Sequence, residues 1–170
     1  SLPSMTQTAV LHVCSDMVDV GKIKRFMGIY QTSSPSYILM ASMDACMDKL
    51  QKDGKQMFRE FTYNLEKARQ RLSKCEKIKL IEASMLQGTG IYDYDRSKLL
   101  FSTVGTSING HQLHEILRDR YHIEMEMEAE KYALGIAAVG DTEEGFDRIC
   151  SAIEEIDGEA RLVCTLEESQ

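Results

Sequence analysis

Residues 132–158 read YALGIAAVGDTEEGFDRICSAIEEIDG, and this stretch decides the fold class. Its first eight residues are mostly apolar, which predicts a strand over 132–139. An Asp-Thr pair then supplies helix-capping side chains, and two glutamates favour the first turn of the helix that follows. That helix ends at Gly158. Its inward residues, at helical spacing, are Phe146, Ile149, Ile153 and Ile156.

The same alternation of strand and helix extends back to about residue 76. We expect strands over 78–81, 99–104 and, more weakly, 122–127, and a helix over 110–121. Before residue 76 we expect helices over 20–30, 35–52 and 55–75, with Gly54 ending the second, and a buried strand or a tight connection over 8–13. The predicted fold class is α/β to α+β, with a small α+β sandwich that carries its helices on one side of a sheet.

Composition and charge limit the possible functions. The 170 residues are 43% hydrophobic and 28% charged, as in an ordinary globular protein. Acidic residues outnumber basic ones 27 to 20, which argues against nucleic-acid binding. No apolar run approaches the roughly 18 residues of a membrane span, so we expect no membrane partner. The five cysteines are widely spaced and form neither a disulfide framework nor a metal-ligand pattern, which suggests the reducing cytoplasm.

A hydroxyl-rich segment precedes one of the predicted helices. Thr32, Ser33 and Ser34 come directly before Pro35, where Ser34 could cap the helix and Pro35 could occupy its first position. Several hydroxyls beside the unpaired N–H groups of a helix start can bind a phosphate. Simple helix capping is the alternative, and these residue types alone leave both interpretations open.

An acidic run with a period of two lies in the second half of the chain. Glu124, Glu126, Glu128 and Glu130 would project from one face of a strand, where they could attract a cationic substrate. A solvated strand face is the alternative. His111 and His114, three residues apart on a predicted helix, could bind a metal, but no third ligand is evident. An ordinary polar helix face explains that pair better, and we expect no metal site.

Three segments resemble one enzyme family. They are SLPSMTQTAVLHV (1–13), KIKRFMGIYQTSSPSYILMASMD (22–44) and YALGIAAVGDTEEGFDRICSAIEEID (132–157). They resemble the bacterial ornithine/lysine/arginine decarboxylases, which depend on pyridoxal 5'-phosphate and have the aminotransferase-type fold, known as fold type I. The resemblance runs from Ser1 to about residue 157 and is strongest to the shorter, biosynthetic-type members.

This resemblance implies that the chain is a piece of a larger enzyme. In the family a His-Lys pair directly precedes the segment matching residues 1–7, and its lysine binds the cofactor covalently. We therefore expect the cofactor lysine immediately before Ser1, no catalytic residue in this chain, and no activity from the chain alone. Residues 1–75 would end the large cofactor-binding domain, 76–158 would form the small α+β domain, and 159–170 would lead to a missing C-terminal domain.

The resemblance also implies roles for residues in this chain. In the family, the residue matching Thr32 reaches the cofactor phosphate of the neighbouring subunit, and Ser33 and Ser34 would support it. The predicted helix over 35–52, which we call the Met-rich helix, would lie near a homo-oligomer interface. A basic amino-acid substrate needs a carboxylate partner, for which Glu124 and Glu126 are candidates. The products would be carbon dioxide and an amine of polyamine biosynthesis.

Several alternatives stay open from the sequence. The substrate could be arginine, lysine or ornithine, because part of the discriminating surface would lie upstream or on another subunit. The chain could be a non-catalytic assembly or binding module derived from the same family. Ser1 could also be the terminal serine left by self-cleavage, as in the precursor of a pyruvoyl group, although nothing else here resembles the pyruvoyl decarboxylases.

Overall fold

The computed structural model describes residues 2–31 and 34–163, which fall into two compact units. The N-terminal unit comprises Leu2–Lys55, and the C-terminal unit begins at Gln56. The helices are α1 Val20–Tyr30, α2 Tyr37–Leu72, α3 Gly110–Tyr121 and α4 Glu143–Glu159. The strands are β1 Lys79–Leu80, β2 Lys98–Ser102, β3 Met127–Ala129 and β4 Tyr132–Ile136, with a 3₁₀ helix at Ala83–Leu86. The domain boundary expected near residue 76 stays a prediction.

In the N-terminal unit, α1 has the predicted bounds. Asp19 begins it, because its carboxylate accepts hydrogen bonds from the backbone N–H groups of Gly21 at 2.8 Å and Lys22 at 3.2 Å. Residues 8–13 form no strand, and Val10 and Leu11 are exposed. Of the two alternatives, the buried strand is therefore wrong, and these residues form a connection without regular secondary structure.

α2 is one helix of 36 residues where two were predicted. Gly54 does not end it, because a glycine costs a helix interior only about 1 kcal/mol and good helix formers flank it on both sides. Two ion pairs at i,i+4 spacing, Lys49 with Asp53 and Lys52 with Asp48, support the helix just before Gly54. No helix in the described ranges combines the length and apolar character that a membrane span requires.

The C-terminal unit contains a four-stranded antiparallel sheet in the order β1-β2-β4-β3. β1 and β4 lie within their predicted ranges and β2 begins one residue early, whereas β3 begins only at Met127, the last residue of the expected 122–127. His122 cannot begin a strand, because it adopts a left-handed conformation (φ 54°) and donates its N–H to the Arg118 carbonyl at the end of α3. A sheet with separate helices and purely antiparallel pairing is an α+β architecture.

The helices pack their predicted apolar faces against this sheet. α3 and α4 have the bounds that the sequence predicts to within one residue. The core also includes the C-terminal turns of α2, so α2 contributes to both units. The main core residues are Leu65, Leu72, Ile78, Phe101, Leu113, Leu117, Phe146, Ile153 and Ile156.

Two close approaches fix the elements around this core. The β3–β4 hairpin crosses the start of α3 at Gly110, where an added Cβ would lie 2.0 Å from the Ala129 oxygen. At the other end, the Asp157 carboxylate on α4 accepts backbone N–H groups from residues 76, 77 and 78, at 3.1, 2.8 and 2.7 Å. The Asp157 carboxylate thus fixes the backbone just before β1.

Candidate functional site

The start of α2 carries the hydroxyls that the sequence singles out. Thr32 and Ser33 lie outside the described residues, while Ser34 is exposed just before the helix. The helix begins at Tyr37, two residues later than predicted. Ser36 is its capping residue, since its carbonyl accepts the Met40 N–H at 3.0 Å and its hydroxyl lies 3.5 Å from the Leu39 nitrogen. The expectation that Ser34 caps the helix is therefore wrong, and Pro35 lies before the helix.

The start of α2 carries hydrogen-bond donors of several kinds. A helix leaves its first N–H groups without partners inside the helix, and the partial positive charge of its N-terminus attracts anions. Serine hydroxyls at positions 34 and 36 add donors on the exposed approach to α2. Hydroxyl and amide donors are groups that hold phosphate oxygens in proteins.

A second hydroxyl group, which we call the Ser42 cluster, consists of Ser4, Thr8 and Ser42. The Ser42 hydroxyl on α2 accepts the Met5 N–H at 2.8 Å and lies 3.2 Å from the Ser4 hydroxyl. The Ser4 and Thr8 hydroxyls are 2.9 Å apart. Sequence reasoning missed this cluster, because a contact across 38 residues leaves no local pattern.

The acidic run does not form one face of a strand. β3 contains Glu128 alone of the four glutamates. Glu124 Oε1 lies 3.2 Å from His114 Nε2, and Glu128 Oε2 lies 3.5 Å from His114 Nδ1 without hydrogen-bond geometry. His114 is a buried residue of α3. It therefore lies between two carboxylates.

The two remaining glutamates, Glu126 and Glu130, lie outside the group formed by His114, Glu124 and Glu128. Glu126 uses its backbone N–H to bond the Leu134 carbonyl at 2.9 Å, and its side chain is exposed. Glu130 Oε1 accepts a long 3.5 Å hydrogen bond from the Asn109 side chain. Both substrate candidates are exposed, and Glu124 lies 3.2 Å from His114 Nε2.

Glu124 also lines a cavity of about 160 Å³ between the sheet and α4. Its apolar wall includes Phe101 and Phe146, and its other charged lining residues are Asp141 and Arg148. Asp141 accepts the Ala138 N–H at 2.7 Å, so one of its oxygens is already used. A cavity with an apolar wall and mixed charges could take the stem and head group of a small amphipathic molecule.

Other reactive groups of the C-terminal unit are committed to structure. The buried Arg69 guanidinium donates to the Glu82 carboxylate, the Tyr94 hydroxyl and three carbonyls, so it has no donor left for a substrate. Burial raises the pKa of the Cys75 and Cys150 thiols from 9.0 to about 11, which keeps them protonated and unreactive at neutral pH. Within residues 2–31 and 34–163, no group of three or more His, Cys, Asp or Glu side chains could hold a metal ion.

Comparisons of the chain with known proteins converge on one family. The model of the family "Orn/Lys/Arg decarboxylase, major domain" matches residues 1–138, which confirms the resemblance seen in the sequence. The arginine decarboxylases of Bacillus subtilis and Bacillus anthracis are each 29% identical to this chain over 153 residues. The alignments cover 90% of the chain and 31% of each relative, so the chain spans about a third of their length.

Two solved structures share the fold. The lysine decarboxylase of Francisella novicida superposes with a TM-score of 0.68 at 15% identity, covering 92% of this chain and 26% of that protein. The constitutive lysine decarboxylase of E. coli gives a TM-score of 0.61 at 14% identity, covering 85% of this chain and 25% of the other. Identities this low establish a common fold and nothing finer.

Proposed function

The chain belongs to the Orn/Lys/Arg decarboxylase family, and we propose that it is part of a pyridoxal-phosphate enzyme that decarboxylates a basic amino acid. The observation that carries this proposal is the family match over residues 1–138, which includes the hydroxyl segment before α2. Arginine is the first substrate to test, because the curated relatives are arginine decarboxylases. Lysine and ornithine are the next substrates to test. The product would be the corresponding amine.

We assign the chain to two parts of a fold type I enzyme. Residues 1–75 would complete the large cofactor-binding domain, 76–158 would form the small domain, and 159–170 would link to a further C-terminal domain. The four-stranded sheet with α3 and α4 supports a small α+β domain over the second range. The relatives' greater length supports the idea of further domains.

The segment before α2 is our candidate for holding the cofactor phosphate. Thr32, Ser33 and Ser34 supply hydroxyls, and the first N–H groups of α2 supply amide donors and a favourable dipole. When bound, pyridoxal phosphate accepts the electrons released as carbon dioxide leaves. The lysine that binds it is expected immediately before Ser1. The residues of this chain would therefore bind and orient the cofactor rather than react.

Glu124 is our first candidate for the cationic end of the substrate. Its side chain is 68% exposed, and its Oε1 lies 3.2 Å from His114 Nε2. A guanidinium or ammonium group needs such an acidic partner, which supports this role. Glu126 is the weaker candidate, because it does not line the cavity beside Glu124.

We further propose a cytoplasmic homo-oligomer. Apolar side chains on α1 and the first turns of α2 are exposed in this chain, including Phe26, Tyr30, Tyr37, Ile38 and Met47. Surfaces of this kind are normally covered by other protein. The described cysteines are free thiols, which suits a reducing compartment.

The test is carbon dioxide release by the protein that joins this chain to its upstream part. With pyridoxal phosphate it should decarboxylate one of arginine, lysine or ornithine, while the 170-residue chain alone should not. Replacing Thr32 by alanine should weaken cofactor binding, because one phosphate donor is lost. Thr89→Ala, in an exposed loop of the C-terminal unit, is the matched control. Robust turnover by the isolated chain, or a longer protein that is inactive on all three substrates, would contradict the proposal.

A further inference from the structure

The cavity between the sheet and α4 is larger than a well-packed protein interior leaves empty. Its volume is about 160 Å³. Protein interiors are packed as densely as organic crystals, and few of their voids exceed a water molecule. An apolar cavity of about 150 Å³ is enough to hold a benzene ring. The cavity therefore has room for one side chain of a small ligand.

A glycine inside a strand forms part of the cavity wall. Gly135 of β4 pairs with Leu99 of β2 in regular antiparallel register. An added Cβ at Gly135 would lie 3.3 Å from Met125 Cε and 3.9 Å from Leu99 Cβ, and all three residues line the cavity. Glycine weakens a strand interior and often marks a place that a ligand or another backbone approaches closely. The flexible Met125 side chain also allows this wall to adapt to what it contacts.

Two phenylalanine rings form another part of the wall. Phe101 of β2 is fully buried and Phe146 of α4 is nearly so, and both line the cavity. Ile149, three residues after Phe146 on α4, lines it as well. Walls of this kind offer water no hydrogen-bond partner, so they favour an apolar or aromatic side chain.

Two exposed residues of opposite charge line the same cavity on the side of α4. Asp141 accepts the Ala138 N–H through Oδ2 at 2.7 Å, and its Oδ1 has no hydrogen bond from any described residue. Arg148 forms neither an ion pair nor a hydrogen bond within residues 2–31 and 34–163, whereas Arg71 and Arg120 of the same unit each pair with a carboxylate. A carboxylate oxygen and a guanidinium group without partners complement a ligand that carries both charges.

We propose that this cavity binds a free α-amino acid with an apolar side chain. The side chain lies against the phenylalanine rings, the ammonium group binds Asp141, and the carboxylate binds Arg148. A basic amino acid is excluded, because its charged side chain would lose water against apolar walls without gaining a partner. The proposal goes beyond decarboxylation and does not depend on the cofactor, since every residue involved belongs to the C-terminal unit. Glu124 remains the candidate for the cationic end of the decarboxylase substrate.

The first test is a titration of the 170-residue chain with L-phenylalanine, followed by NMR chemical shifts of the backbone amides. The amide signals of Gly135 and Gly145, which line the cavity, should shift with a dissociation constant of about 1 mM. L-alanine should bind about tenfold more weakly or worse, because it leaves the cavity unfilled. L-lysine should be equally poor, because its ammonium group would be desolvated.

Two variants identify the charged contacts. Arg148→Ala should weaken L-phenylalanine binding about tenfold or more, because a charge-assisted hydrogen bond is lost. It should leave binding of 2-phenylethylamine unchanged, since that amine has no carboxylate. Asp141→Asn keeps an acceptor for the Ala138 N–H and should weaken binding of both ligands. Arg59→Ala, which removes an exposed arginine of α2 outside the cavity lining, is the matched control and should change neither.

Three results would overturn the proposal. The first is the absence of any shift of the cavity signals at about ten times the expected dissociation constant of L-phenylalanine. The second is equal weakening of both ligands by Arg148→Ala, which would indicate an altered cavity rather than a lost carboxylate contact. The third is tighter binding of 2-phenylethylamine than of L-phenylalanine, which would make the cavity an amine site. None of these results bears on the proposed decarboxylase, which is tested separately with the cofactor and the longer protein.

Discussion

The backbone of the β3–β4 hairpin passes so close to Gly110 that no side chain fits there. An added Cβ would lie 2.0 Å from the Ala129 oxygen and 2.1 Å from the Tyr132 oxygen. We expect Gly110→Ala to lower the free energy of unfolding by about 3 kcal/mol or more, because backbone must move to accommodate the methyl group. Urea unfolding followed by circular dichroism measures this.

Gly158 provides the matched control. It lies in α4, and an added Cβ there would meet no atom within 4 Å. Gly158→Ala should be neutral or stabilise the chain by up to about 1 kcal/mol, as alanine does in a helix interior. Equal effects of the two substitutions would show that the hairpin does not cross α3 at Gly110.

The two buried thiols predict a loss of stability at alkaline pH. Burial raises the pKa of Cys75 and Cys150 from 9.0 to about 11, and unfolding restores the ordinary value. Between these pH values the unfolded state loses protons that the folded state keeps. The free energy of unfolding is therefore unaffected by the thiols below pH 9 and falls as the pH rises towards 11. At pH 10 the loss should be about 1 kcal/mol for each thiol.

Urea unfolding at pH 8 and pH 10 tests this expectation. The Cys75→Ala, Cys150→Ala double variant should lose less stability between the two pH values than the unmodified chain, because it has no buried thiol left to ionise. If the two proteins lose the same amount, the thiols are not the cause.

At the scale of single residues, the sequence identified candidate site residues better than it predicted which residues they contact. The pair of Glu124 and His114 involves two residues that the sequence had singled out separately, but a strand face was predicted where a contact with α3 occurs. Ser42 was not predicted at all. Hydrogen bonds across many residues depend on the tertiary fold, and no periodicity in the sequence encodes them.

At the scale of elements, Gly54 tests the continuity of α2. It has no positive φ, and an added Cβ would make an ordinary contact of 3.6 Å with the Leu50 Cβ. We therefore expect Gly54→Ala to raise the free energy of unfolding by about 0.5–1 kcal/mol. A loss of stability would instead indicate that the chain leaves the helix at Gly54, as the sequence suggested. Gly28→Ala in α1, where the added Cβ meets nothing within 4 Å, is the control.

The sequence predicted elements well where local signals decide them. α1 and α3 have their predicted bounds because capping side chains, Asp19 and Asn109, define their starts. β3 was misplaced because its position depends on pairing with β4, to which a tight turn connects it. In this pairing Met127 lies opposite Leu134. α2 was divided because Gly54 ends a helix in many sequences but carries only a small cost when both flanks favour helix.

At the scale of the whole molecule, the N-terminal unit has apolar side chains that are exposed in this chain. The Met-rich helix, predicted over 35–52, was expected to lie near a homo-oligomer interface, and Tyr37, Ile38 and Met47 are exposed in this chain. The chain spans about a third of the curated relatives that it matches. What covers these residues in the proposed enzyme is therefore sought in the upstream part or a second subunit.

The measurement that tests the account most directly is reduction of the cofactor-loaded longer protein with borohydride, followed by peptide mass mapping. Borohydride fixes pyridoxal phosphate to the lysine that holds it. We predict a pyridoxyl group on a lysine immediately before the sequence SLPSMTQ of residues 1–7. An adduct on any other lysine, no adduct at all, or a reduced pyruvoyl group in place of Ser1 would contradict it.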